Sequence, residues 1–173
     1  MKHILSEQQI ALTVKRLGHQ IHENHLQLKN TVIMGIQPRG IFLADRIVNE
    51  LKQLVTADEI FYGKLDITFY RDDVRKEIHV PNKTDINFSI ENKNVVIIDD
   101  VLYKGRTIRA ALDALLDFGR PAKVELCVLI DRRFSREFPI QPDYCGEAID
   151  TFENQKVIVK WKEKDGEDSV VLI

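Results

Sequence analysis

The chain has 173 residues, 44% hydrophobic and 30% charged, with a formal net charge of −2 at pH 7. That is long enough for a substantial core and ordinary for a globular protein, so one domain over 1–173 is expected. The near-neutral balance gives no global sign of nucleic-acid or membrane-surface binding, and no run approaches the ~18 apolar residues of a membrane span or resembles a signal peptide; no membrane association and a cytoplasmic location are expected.

In chain order, Ser6 with Gln9 three residues on has the spacing of a capping box, and Ile10, Val14, Leu17 and Ile21 make the apolar stripe of a first helix. Residues 31–36 read as a buried strand. Gln37-Pro38-Arg39-Gly40 is a turn, and 41–54 continues as a helix. Residues 64–70 alternate Leu65, Ile67 and Phe69 with polar positions, which predicts a strand with one wetter face. The stretch 71–94 is long, polar and without apolar period, and a loop of that length in a compact domain is usually functional. Val95-Val96-Ile97-Ile98 is a continuous apolar run, as in a strand buried on both faces.

After Thr107, Ile108, Ala111, Leu112, Leu115 and Phe118 share one helical face, ended by Gly119 and Pro121. Residues 123–130 form another buried strand holding Cys127, expected as a reduced core thiol. Residues 131–144 read as irregular, and 156–161 and 169–173 flank Asp165-Gly166 as a closing hairpin. Strands alternating with helices predict an α/β fold, a central mostly parallel sheet flanked by helices, with a C-terminal hairpin. Ligands bind such sheets beyond the carboxyl ends of the strands, where 37–40, 71–73 and 99–107 all fall.

The last of these segments is the most telling. The apolar run ends in Asp99-Asp100, followed by a short loop with Gly105 inside it and Thr107 at its end. The free N–H groups and positive dipole end of a helix start favour an anion. Two carboxylates beside it accept hydrogen bonds from sugar hydroxyls or sit near a divalent cation. A site that takes both an anion and a polyol is a sugar-phosphate site.

With Gly35-Ile36-Gln37-Pro38-Arg39-Gly40, Asp66-Ile67-Thr68-Phe69-Tyr70-Arg71-Asp72-Asp73 and Leu102-Tyr103-Lys104-Gly105-Arg106-Thr107-Ile108-Arg109-Ala110, the chain resembles the type I phosphoribosyltransferases. Within them it is similar to the bacterial pyrimidine operon regulatory proteins with uracil phosphoribosyltransferase activity, over nearly its whole length. The resemblance implies a flexible flap over the site and the conversion of uracil and phosphoribosyl pyrophosphate (PRPP) to UMP and pyrophosphate, with Mg2+ bound mainly through the substrate near Asp99 and Asp100. It implies that Asp99 and Asp100 hold the ribose hydroxyls, and that Tyr103, Lys104, Gly105, Arg106 and Thr107 cradle the 5-phosphate. Pro38, Arg39 and Gly40 would take pyrophosphate, which Arg71 meets with the flap residues Asp72 and Asp73. Val101, Leu102, Tyr144 and Cys145 would line the base pocket, although Tyr144 reads equally as a core aromatic.

The pattern departs from the family in places. Lys104 stands where relatives often carry a hydroxyl, and Pro38, where they often carry threonine, offers no N–H and makes a cis bond accessible. The family's regulatory members bind an mRNA leader through basic side chains, which maps here to Lys15, Arg16, His19, His22 and Arg136, while Asn24, Gln141 and Glu147 occupy places expected to be basic. Alternatives are therefore a UMP- or UTP-sensing RNA-binding attenuator with little turnover, and a purine phosphoribosyltransferase. The family implies a homodimer or homotetramer.

Overall fold

A computed structural model describes residues 1–26, 28–56, 60–72 and 84–173. Five parallel strands form the main sheet in the order β3-β2-β4-β5-β6: β2 (Thr31–Ile36), β3 (Phe61–Leu65), β4 (Asn94–Leu102), β5 (Lys123–Arg133) and β6 (Tyr144–Asp150). A smaller antiparallel sheet, β1-β8-β7, joins β1 (Lys2–Leu5) to a hairpin of β7 (Val157–Lys160) and β8 (Ser169–Leu172).

The pleat of β4 divides the core in two. Val96 and Ile98 pack with α1 (Glu7–Asn24) and α2 (Gly40–Leu54) on one face, and Val95 and Ile97 with α3 (Arg106–Leu115) on the other. Burial on both sides explains why β4 lacks polar alternation, and each such buried aliphatic side chain contributes about 1.5–3 kcal/mol of transfer free energy. The α1 capping box forms as the spacing predicts, with Ser6 N–H donating to Gln9 Oε1 at 2.8 Å and Gln9 N–H to Ser6 Oγ at 3.4 Å. Cys127 is a buried free thiol, held protonated by burial, which pushes its pKa well up.

Three expectations are corrected. The strand expected at 64–70 is β3 at Phe61–Leu65, and Phe69 is exposed. Asp66 ends it, because its Oδ1 accepts from Thr68 N–H at 2.9 Å and closes a turn that competes with the ladder. The helix expected to reach Phe118 stops at Leu115, with Phe118 N–H tightened onto Leu115 O. Residues 131–133, expected as irregular, extend β5. The Asp165-Gly166 turn is present but carries one helical turn, α4 (Lys162–Asp165), and Gly166 takes φ 82° at its end.

At the amino ends of the strands lies a buried polar cluster. His25 Nε2 donates to Glu125 Oε2 at 2.7 Å and its Nδ1 is 3.2 Å from Thr31 Oγ1, while Tyr144 Oη–H donates to the same Glu125 oxygen at 2.7 Å. Burial alone would raise Glu125, but hydrogen bonds from Lys123, His25 and Tyr144 outweigh it and hold the carboxyl down to about 2. A depressed carboxyl stabilises the fold above its unfolded pKa and loses that contribution as pH falls through the folded value. Thermal melts should therefore show a Tm decline between pH ~4.5 and ~2 that is flatter in Glu125→Gln. An unchanged acid slope in the variant would remove Glu125 from the acid response.

Candidate functional site

The site lies at the carboxyl ends of β2 and β4, and Asp99 and Asp100, expected beyond the strand, belong to the last residues of β4. Asp99 is 7% exposed and its Oδ1 accepts from Asp100 N–H at 2.9 Å. Asp100 is less enclosed, and its Oδ2 accepts from Arg39 Nε at 3.4 Å. Burial, then the neighbouring Asp100 charge, raises the Asp99 carboxyl well above the ordinary range. Burial also raises Asp100, with Arg39 opposing it. Two adjacent acids whose charge is disfavoured gain by meeting a cation or hydroxyl donors, so the pair is poised for a polyol or a positively charged reacting centre.

Arg39 comes from the turn after β2. Its guanidinium also donates to Val159 O and, at 2.9 Å, to Asp165 Oδ2, so the C-terminal hairpin holds it. Gln37 N–H donates to Leu65 O at 2.9 Å, and the Gln37–Pro38 bond is cis. Gly40 opens α2 directly against β4, where a Cβ would lie 2.6 Å from Ile98 O.

The loop 103–105 follows β4. Gly105 has φ 90° and stands at the N-cap of α3, where it has no side chain to bond the first N–H groups of the helix, which have no intrahelical acceptor. Beside them lies a cavity of about 160 Å³, lined by Arg71 and by 101–108, Thr107 included. Arg71 is close enough for its charge to lower Asp99. Lys104 and Arg106 both meet Glu137, and Asp72 lies 3.4 Å from Arg109 and 3.7 Å from Arg106, on α3 rather than at the acid pair. The structure thus brings Arg39, Arg71, Asp99, Asp100 and 103–107 together; Asp73 lies outside the described residues.

The remaining expected residues divide between this cavity and other places. Tyr144 is buried in the core with its hydroxyl on Glu125 and does not line the loop cavity. Val101 and Leu102 line the loop cavity, and Cys145 lines a separate hollow with Asp131, Phe134 and Arg136. Arg136 turns inward: it donates to Tyr103 O at 2.6 Å, Ile140 O at 2.8 Å and Arg132 O at 3.0 Å, and pairs with Asp131. Arg16 donates to Cys145 O and Gly146 O, whereas Lys15 and His19 are exposed on α1.

Sequence reasoning missed Asp165, Glu137 and the Val159 carbonyl. Asp165 read only as a turn residue, and nothing local signals that a hairpin some 120 residues away reaches Arg39. Arg46 fastens the same hairpin to α2 through Glu163 and Asp168 at 2.8 Å each, its guanidinium 4.8 Å from the Trp161 ring centroid.

A family model described as the phosphoribosyl transferase domain matches residues 1–164. A bifunctional protein PyrR of Elusimicrobium minutum is 44% identical over 175 residues, covering 99% of this chain and 96% of the relative. Another, from Enterococcus faecalis, is 45% identical, covering 94% and 93%. A hypoxanthine-guanine phosphoribosyltransferase structure from Bacillus anthracis superposes with a TM-score of 0.73 at 17% identity, covering 100% of this chain and 97% of that one. A hypoxanthine phosphoribosyltransferase structure from Staphylococcus aureus gives 0.71 at 22%, covering 98% and 90%. At these identities the structures speak for the fold alone.

Proposed function

We propose a function from one premise: the chain belongs to the phosphoribosyltransferase family. It transfers the ribosyl 5-phosphate of PRPP to uracil, giving UMP and pyrophosphate. The observation that carries this reading is the meeting of the Asp99–Asp100 pair, the amide-lined turn 103–107, Arg39 and Arg71 around one site. The turn and Thr107 suit the 5-phosphate, because uncapped helix N–H groups donate to its oxygens without desolvating a counter-charge. Asp99 and Asp100 hold the ribose hydroxyls and favour the positive charge that grows on the ring as the anomeric bond breaks. Arg39, kept in place by Asp165 and Val159 O, donates to the departing pyrophosphate, and Arg71 approaches from the other side. Mg2+ is the implied cofactor. The carboxylate oxygens of Asp100 and Asp99 are donors of the hard type it takes, and when bound it neutralises pyrophosphate.

The test is a base-by-base assay of pyrophosphate release from PRPP with Mg2+. Turnover is expected with uracil; release with hypoxanthine or guanine and not with uracil would replace the substrate. The bifunctional description of the relatives favours a second role, attenuation through an mRNA leader sensed with UMP or UTP. Its surface would centre on Lys15 and His19, since Arg16 and Arg136 are engaged within the protein. Filter binding to a pyrimidine-operon leader across a salt series tests it: saturable binding that weakens with salt supports the role, and none removes it.

A further inference from the structure

The turn after β4 and the first residue of α3 carry two cations, Lys104 and Arg106, and one carboxylate from another segment meets both, while Asp72 lies 3.7 Å from Arg106. Glu137 Oε1 is 2.7 Å from Lys104 Nζ, and its Oε2 accepts from Arg106 Nε at 2.6 Å. The carboxylate is not there by chance of a mobile surface. Glu137 N–H donates to Lys104 O at 2.9 Å, and the Arg136 guanidinium donates to Tyr103 O at 2.6 Å, so the segment 136–137 is stitched to the backbone of 103–104. Phe138 Cβ and Ile140 Cδ1 also sit against Gly105, within 3.4 Å of where a Cβ would lie.

We propose that Glu137 is a positioning residue that sets how strongly this turn takes a phosphate. The inference rests on reading 103–107 as the 5-phosphate site. An internal carboxylate held between the two cations competes with an incoming phosphate for the same donors. The mouth of the turn then presents less positive charge than Lys104 and Arg106 would alone, and the backbone N–H groups carry more of the recognition. Lys104 is the side chain most affected, because it stands on the turn itself and its ammonium is turned to Glu137. The role acts on ground state and transition state alike, since the 5-phosphate is bound in both, so it moves KM for PRPP and not kcat.

The experiment uses the full chain and compares wild type, Glu137→Gln, Lys104→Thr and the double variant by calorimetry with UMP over a salt series, and by kinetics with PRPP and uracil. Glutamine keeps the shape of the side chain and removes its charge. Glu137→Gln should bind UMP about threefold tighter, with affinity falling more steeply as salt rises and KM for PRPP lowered at near-constant kcat. The gain should shrink when Lys104 is threonine. Unchanged or weaker UMP binding in Glu137→Gln, or an equal gain without Lys104, overturns the proposal. If wild type itself neither binds UMP nor turns over, the reading of the site falls and the inference falls with it.

Discussion

Asp100→Asn should lower kcat/KM for uracil by about 10²- to 10³-fold while leaving the fold in place. The amide matches the carboxyl in shape but cannot carry the charge that answers the developing positive ring. Arg39 does not lose its anchorage, because Asp165 and Val159 O still hold it. The neighbouring position separates function from stability. In Asp99→Asn the buried amide still accepts from Asp100 N–H, and activity falls with the lost charge. Its stability should rise. Burial and the Asp100 charge raise the folded pKa of Asp99, so its contribution to stability is full below the unfolded pKa and is lost as pH rises through the folded value. At neutral pH wild type bears that loss and the asparagine variant does not. Tm should increase by roughly 2–4 °C for each kcal/mol recovered. Steady-state kinetics and thermal melts at pH 7.5 check both; an Asp100→Asn enzyme within tenfold of wild type, or a lower Tm in Asp99→Asn, would contradict the roles given to the pair.

Gly40→Ala should damage both stability and activity. The added Cβ would sit 2.6 Å from Ile98 O, and 3.0 Å from both Asp99 Cα and Asp99 Oδ1. Ile98 and Asp99 belong to the central strand, bonded to β2 and β5 on either side, so the obstacle is backbone that cannot swing aside. Relief must come from α2 moving off the sheet, which takes Arg39 and the turn 37–39 with it. Overpacking of this kind costs about 1–3 kcal/mol, and a displacement on the order of 1 Å at the reacting groups costs roughly 10²-fold in rate. Wild-type Tm together with wild-type kcat/KM would mean that Gly40 does not hold the turn against the acid pair.

The chain's own pattern determined the α1 cap and stripe, the doubly buried β4, the apolar face of α3 and the closing hairpin, because each depends on neighbours within a few positions: a side chain reaching its own backbone, a 3.6 or 2.0 period, a glycine at a turn. The helix α3 itself starts at Arg106 with Gly105 as its cap, earlier than the expected start after Thr107. The pattern also put the acid pair beside the turn proposed to take the 5-phosphate, since a strand running into a loop and a helix brings them together locally. The expected 64–70 strand failed for an equally local reason, an Asp66 turn that competes with apolar alternation. Tertiary structure alone decided which of the two acids faces Arg39, that the Tyr144 hydroxyl joins a buried cluster, that Arg136 staples the turn from within, and that Glu137 and Asp165 hold the cations of the site. A guanidinium or ammonium can satisfy its donors on any carboxylate that the packing delivers. The partner is chosen by how β5, the segment after it and the C-terminal hairpin come to rest against the sheet, and no spacing along the chain encodes that contact.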